Sequence, residues 1–447
     1  MKRIKVWVLT IAATLLICGE ITAQKATLND LIKKAAEDGL KRYQDTYIDL
    51  HRNPELSLLE TRTSGKLAEE LRTLGFEVST NIGGTGVVGI FRNGSGKVLM
   101  LRTDMDALPV KENTGLPFSS SVVMKDMNGK ENPVMHACGH DLHMTMWLGT
   151  LRTLVTLKSE WKGTLMAVAQ PGEEGWMGAQ KMIDDGLFRK FPVPDAALCY
   201  HVSAELPTGQ VGYYPGPIFA GSNTAEIVVK GIGGHGALPH NTIDPIVLSS
   251  KIILDIQTIV SRRINPVKPA VVTVGSIHGG TKANVIPDEV RMLVTIRFFE
   301  ESVYEKIKES LKQIVRYDAL AAGLPEDKLP VITFDSPVYQ PVANNPELVM
   351  KVAGSMKNML GETNVTEVDP STVAEDFGMY GRTEEKIPIA LFWLGGVNTE
   401  KYELHMATGA FLPALHNSQF APDFIPAFKT GVTAMSRTLI DLFLSKK

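Results

Sequence analysis

Two hydrophobic rhythms run along this chain. Leu67, Leu71 and Leu74 recur at helical spacing, Gly75 stands where such a helix would stop, and an amphipathic stretch from about Pro426 to Leu444 predicts a final helix. Other apolar residues come in short unbroken runs, at 98–102, 165–169, 196–200 and 389–393. Such runs, alternating with helical segments, predict an α/β domain whose mostly parallel sheet is flanked by helices and covered on both faces. From about Gly221 to Asp335 the order changes to strand (224–230), helix (245–264), two strands (271–277 and 290–299), helix (303–320) and strand (331–334). That is the split βαβ order of an α+β, ferredoxin-like layer. The run at 389–393 returns to the earlier kind. The layer is therefore expected as an insert at 221–335, acting as a lid on a domain formed by 24–220 and 336–447.

The start of the chain has its own pattern. A basic stretch, Met1 to Lys5, precedes a mostly apolar one, 6–18, that is too short for a comfortable membrane span, and Thr22-Ala23 offers a small-residue cleavage point. Residues 1–23 are read as a signal peptide, and the mature protein as periplasmic or secreted; an N-terminal anchor that stays is the alternative. No later stretch looks membrane-spanning. Composition adds exclusions: 447 residues, 44% hydrophobic, with a net charge of −3, give no reason to expect nucleic acid or an anionic membrane as partner. Cys138 and Cys199 are the cysteines outside the leading segment, which is no disulfide framework, although an exported protein could pair the two.

Polar residues gather where the apolar runs stop. Asp104 and Asp106 follow the first run, Glu173 and Glu174 the second, and His201 ends the third. In parallel sheets, ligands bind at the carboxyl ends of the strands. The stretch from Met135 to His143 adds a thiol, Cys138, and three imidazoles ahead of an apolar run at 144–148 that predicts a buried helix. Cys138 and His140, two apart across a glycine in a loop, can turn toward one point. Cys138, His140, Glu174, His201 and His416 are donor types suited to zinc, manganese, cobalt or nickel. Two ions close together would need a bridging ligand and enough donors to fill both. In the pair Glu173-Glu174, one carboxylate can bind metal while its neighbour stays free as a base on metal-activated water. Asp106 fits as the acceptor of a ligand histidine's other N–H, with Asp376 a weaker candidate for a supporting role. His51, between two early helices, is expected to be structural or at the rim. A cysteine nucleophile, Cys138 with His140 or His143 as base, is the rival chemistry. It leaves Glu173, Glu174, His201 and His416 without a role.

These residues, in order, resemble the M20 family of metallopeptidases, and most of all its amidohydrolase branch of hippurate hydrolases, N-acyl-amino-acid amidohydrolases and auxin-conjugate hydrolases. The resemblance is carried by His51-Arg52-Asn53-Pro54-Glu55-Leu56, Asp104-Met105-Asp106-Ala107-Leu108-Pro109, Met135-His136-Ala137-Cys138-Gly139-His140-Asp141, Gln170-Pro171-Gly172-Glu173-Glu174, Gly233-Gly234-His235, Asn284-Val285-Ile286-Pro287, Glu375-Asp376-Phe377 and Leu415-His416-Asn417-Ser418. It implies two divalent ions per chain held by Cys138, His140, Glu174, His201 and His416, with Glu173 as general base. It further implies a lid domain that makes a homodimer, and His235 reaching from the lid, often of the other subunit, to the tetrahedral oxyanion. Asn284 and Arg297 would hold the substrate, an N-acyl amino acid or short peptide. The chain departs from the family where Gly172 replaces a common alanine before the Glu pair and where Gly236 replaces one after His235. A dipeptidase or aminopeptidase of the same fold, and a binding protein without turnover, are the alternatives.

Overall fold

A computed structural model describes residues 26–445, so the expected signal peptide lies outside the described residues. Two sheets are built on separate cores. The larger has eight strands in the order Glu77–Ile82, Gly86–Asn93, Gly163–Gln170, Val98–Asp104, Ala196–Pro207, Ile389–Val397, Val211–Tyr213 and Val365–Glu367. Its centre is parallel, as the unbroken apolar runs predict, from Gly163–Gln170 through Val98–Asp104 and Ala196–Pro207 to Ile389–Val397. The sheet as a whole is mixed. An antiparallel meander forms one margin, and Val211–Tyr213 runs antiparallel to its neighbour at the other. Ile389–Val397 is buried at every position because helices cover both faces.

On one face pack the first helix, Leu28–Arg52, and the helices His140–Thr156, Pro346–Leu360 and Phe424–Leu444. Thr27 opens the first of these with a capping box: its hydroxyl takes the Asp30 N–H, and the Asp30 carboxylate returns to the Thr27 N–H. His140–Thr156 meets Phe424–Leu444 at very short range. A Cβ at Gly149 would lie 2.7 Å from Val432 Cγ2 and 2.8 Å from Phe428 Cζ, and one at Gly431 would lie 2.4 Å from Met146 Sδ. These two helices approach closely because each presents a glycine where the other presents bulk.

The smaller sheet has the order Ala270–His278, Glu289–Phe298, Gly221–Lys230, Val331–Phe334, antiparallel throughout. With its helices Pro245–Thr258 and Glu301–Ala321 this is the ferredoxin-like arrangement. Gly221–Lys230 alternates buried and half-buried residues along its whole length, since only one face is covered by helices. The helix expected to reach 264 is α-helical only to Thr258 and ends in a π turn, Ile259–Arg263. The chain leaves the larger domain near Phe219 and returns near Val342, and the two crossings pair with each other through Ser222 with Tyr339 and Phe219 with Val342.

Gly149→Val should lower the unfolding free energy by about 1–3 kcal/mol through overpacking. Gly354, in Pro346–Leu360, has nothing within 4 Å of its Cβ direction, so Gly354→Ala should raise it by roughly 0.5–1 kcal/mol. Denaturant midpoints at constant slope read both changes.

Candidate metal centre

The strand ends deliver the site, with local departures from the sequence expectation. His140 opens the helix His140–Thr156, so the helix begins four residues before the apolar run at 144–148. Its N-cap, Gly139, has φ 78°, and a Cβ there would lie 2.6 Å from Val202 Cγ1. Backbone conformation and space both require glycine between Cys138 and His140. His201 lies inside a strand rather than at its end, because Ala196–Pro207 continues to pair with Ile389–Val397 past His201, opposite Trp393. On its other side, the pairing with Val98–Asp104 stops at Leu198. The N–H of Val202 is taken by His143 Nε2 at 2.8 Å. Glu173 and Glu174 sit in an irregular turn between Gly172 and Met177, both left-handed. His416 has φ 65°, unusual for a residue with a Cβ, and its N–H is held by Ala137 O at 2.8 Å.

These segments converge. Ligand atoms of Cys138, His140 and His201 lie within 4.8 Å of one another; so do those of Cys138, Glu174 and His416, and those of His140, Glu173 and Glu174. Cys138 Sγ is 3.5 Å from His201 Nε2 and 3.2 Å from His416 Nε2, and His416 Nε2 is 3.3 Å from Glu174 Oε1. His140 Nδ1 and His201 Nδ1 face backbone carbonyls, Asp106 O and Val202 O, each at 2.8 Å. Donation there turns both Nε2 atoms into the cluster. His140 Nε2 and Glu174 Oε1 are buried without a hydrogen-bond partner. Burial holds the His201 imidazole well below its ordinary pKa, hence neutral. A soft donor, imidazoles and carboxylates around orphaned polar atoms fit a divalent cation of the zinc type; burial lowers the His140 pKa, but the Asp104, Asp106 and Glu174 carboxylates prevail and raise it to about 10.

The supporting carboxylates act differently from expectation. The close acceptor for His140 Nδ1 is the Asp106 backbone carbonyl; the Asp106 carboxylate, with Oδ1 at 3.4 Å, instead takes the Ser57 hydroxyl at 2.6 Å and the Glu174 N–H at 2.9 Å through Oδ2. It fixes the backbone of the Glu pair. Asp376 accepts from Gln170 Nε2 at 2.7 Å and from Ala179 N at 2.9 Å. Asp376 and Glu375 are held by a fully buried Arg102, which also binds Asp104 at 2.7 Å. Ligand-type oxygens of Glu173, Glu375 and Asp376 share one 4.8 Å cluster. Burial, and then the charges of Glu375 and Glu174, push the Glu173 carboxyl well above its ordinary pKa.

The cysteine-nucleophile chemistry does not fit. Burial and the Glu174 and Glu173 charges push the Cys138 thiol well above its ordinary pKa, the reverse of nucleophile activation. His143 has both nitrogens engaged, Nδ1 with Asp104 at 2.8 Å and Nε2 with Val202 N. Cys138 and Cys199 are both free thiols.

A cavity of about 620 Å³ opens over the cluster. The larger domain contributes Cys138, Glu173, Glu174, His201 and His416 to its lining, and the smaller one Ser222, Val271, Thr295 and Arg297. Arg297 is half-buried without an acidic partner, and burial pulls its pKa down. His235 and Asn284 are not in this cavity. Both are exposed on an arm where Gly234–His235 pairs with Val285–Ile286 and Gly236 N meets Asn284 O at 2.9 Å. Sequence reasoning overlooked Arg102, which looked like the polar end of an apolar run, and Tyr339, which lines the cavity from the returning crossing.

Such a cluster, at the ends of a central parallel sheet and beside a second sheet with its own core, could hold a metal ion and suits a metal-dependent hydrolase. A family model described as Peptidase family M20/M25/M40 matches residues 100–437, and the chain belongs to that family. It is 39% identical over 426 residues to thermostable carboxypeptidase 2 of Saccharolobus solfataricus, covering 94% of this chain and 100% of that protein. It is 34% identical to the N-acetylcysteine deacetylase of Bacillus subtilis, covering 80% and 89%. Among solved structures, a dinuclear metal binding peptidase from the M20 family, from Bacillus subtilis, superposes with a TM-score of 0.73 at 27% identity, covering 91% of this chain and 99% of that one.

His51 lies in the last turn of the first helix and bridges two acids, with Nδ1 2.6 Å from Asp141 and Nε2 3.0 Å from Glu112. Burial lowers its pKa, but the two carboxylates prevail and raise it to about 9. A raised pKa stabilises the fold fully below the unfolded value, about 6.5, and that contribution is lost as pH climbs through the folded value. His51→Gln should therefore cost on the order of 2–3 kcal/mol at pH 6 and clearly less at pH 10. Urea unfolding at the two pH values measures it; equal losses would contradict the charged bridge.

Proposed function

We propose that this chain hydrolyses the amide bond of N-acyl amino acids or amino-acid conjugates, with two divalent ions held by Cys138, His140, Glu174, His201 and His416. The observation that carries the substrate class is Arg297, a half-buried guanidinium without an acidic partner, on the same cavity as the donor cluster. A desolvated cation of this kind calls for an anionic ligand, and a guanidinium fork matches a carboxylate. Ions at the cluster supply Lewis-acid activation of water and of the scissile carbonyl. Glu173 takes a proton from the attacking water at a carboxylate oxygen and passes it to the leaving nitrogen. Asp106 keeps Glu174 in place through its backbone N–H, and Asp376 helps set the charge around Glu173. A carboxypeptidase acting on short peptides uses the same Arg297 contact, and the similarity to thermostable carboxypeptidase 2 favours it as the second reading.

His235 and Asn284 complete the site from the lid of a second copy in a homodimer. Their exposed arm supports this, as do the apolar residues bare on the lid: Val247 and Leu254 of Pro245–Thr258 are 66% and 70% exposed. The pattern of residues 1–23 supports export to the periplasm or medium.

With N-acetyl, N-benzoyl and indoleacetyl amino acids as substrates, a chelator should abolish turnover. Glu173→Gln should keep its metal and lose about 10²–10⁴-fold in kcat, whereas Glu174→Gln should lose metal on elemental analysis. Metal content and kcat changing the other way round would swap the two roles. For His235, inactive His235→Ala mixed with inactive Glu173→Gln should regain up to half the sites in hybrid dimers. Absence of recovery despite verified subunit exchange would exclude action across the dimer.

A further inference from the structure

The lid wall of the cavity is a single lateral row. Val271 lies opposite Arg297, Arg297 opposite Ser222, and Ser222 opposite Tyr339. Each pair is antiparallel, so directly opposed side chains share one face, and all four residues line the cavity. The row crosses from the lid sheet onto the chain returning to the larger domain.

Arg297, Tyr339 and Ser222 in this row hold unused donors, and the two long side chains reach furthest. Arg297 binds protein through Nη1 alone, to the Ser222 hydroxyl, to Thr295 Oγ1 at 2.9 Å and to Ile296 O at 3.1 Å. Its Nε and Nη2 are without partners among the described residues and form one edge of the guanidinium fork. The Tyr339 hydroxyl oxygen accepts the Met177 N–H at 3.2 Å, while its own proton has no acceptor among the described residues. Met177 closes the turn that carries Glu173 and Glu174, so the phenol is fixed beside the catalytic pair. Ser222, between the two, accepts from Arg297, and its own hydroxyl proton likewise has no acceptor among the described residues. Two strand spacings of roughly 4.8 Å separate the backbones of Arg297 and Tyr339, a gap that two long side chains on one face can close around a small anion.

We propose that Tyr339 is a substrate-binding residue whose hydroxyl, together with the free edge of Arg297, takes the carboxylate of the substrate. The inference rests on the amidohydrolase reading and adds the second half of its carboxylate site. A carboxylate offers two oxygens and accepts only, which matches a wall with donors alone unused. An uncharged carboxamide at the same place brings an NH₂ that meets those donors without an acceptor.

The test compares Tyr339→Phe with the wild-type holoenzyme on N-benzoylglycine and N-benzoylglycinamide. Loss of one hydrogen bond to a charged group should raise KM for the acid on the order of ten- to a hundredfold, with kcat within about twofold. The amide, which keeps one accepting carbonyl oxygen but no charge, should lose several-fold less in kcat/KM, so the preference for acid over amide narrows. If the hydroxyl served only to anchor the Met177 turn, kcat would fall equally on both substrates, and that result overturns the proposal. Unchanged kinetics on the acid overturn it too. Metal content and thermal unfolding of the variant show that its fold is intact, and Tyr339→Leu, which also removes the ring, should weaken acid binding at least as much. Should the metal-loaded wild type cleave no N-acyl amino acid, the amidohydrolase reading fails before any variant is made, and this inference falls with it.

Discussion

One buried guanidinium underlies the architecture of the site. Arg102 is fully buried in a central strand, and it binds Asp104 on its own strand, Gln170 at the end of the next, and Glu375 and Asp376 from beyond the insert. It therefore joins the two halves of the interrupted domain behind the metal cluster. Removing one partner from a buried charge network typically costs about 3–5 kcal/mol, because the remaining charges stay desolvated. Here those charges are carboxylates that share a cluster with Glu173. Glu173 thus sits at the edge of a negative region that Arg102 keeps tolerable.

The donor residues are oriented largely by backbone. Carbonyls of Asp106 and Val202 face the Nδ1 atoms of His140 and His201, and the Ala137 carbonyl holds the His416 N–H. Main-chain groups at the ends of a packed sheet move little, so the two rings are held in one orientation. Carboxylates, which titrate, are used one step further out, on the turn that carries the Glu pair.

This division explains what could be read from the sequence. The apolar runs revealed the parallel centre of the sheet, and the polar residues after them revealed the donor types, since both are properties of single segments. The positions of Cys138, Glu173 and Glu174 followed from adjacency to those runs. Facts of pairing were hidden. His201 looked like a strand end because the residues after it, Val202 to Pro207, gave no hint of continued pairing with Ile389–Val397. Asp106 was expected to support a ligand histidine, and it does stand beside His140 Nδ1, with its carbonyl at 2.8 Å and its carboxylate at 3.4 Å; which of the two is nearer no residue type announces. The row from Val271 to Tyr339 depends on register across three strands and one isolated bridge, and register is set by the fold rather than by any one segment. His235 and Asn284 were named only through family resemblance, and within one chain they stand apart from the cavity.

The order of the ligands along the chain has a consequence for biosynthesis. Cys138 and His416 meet at 3.2 Å although 278 positions separate them, and the strand that supports His201, Ile389–Val397, is also made late. A contact this distant in sequence closes only after the intervening segment, with its own sheet and core, has folded or been set aside, and loops of such length close slowly. Four of the five donors exist early on the growing chain, but the pocket that would orient them does not. With the proposed ligand set, full coordination waits until His416 has been made and docked against Cys138.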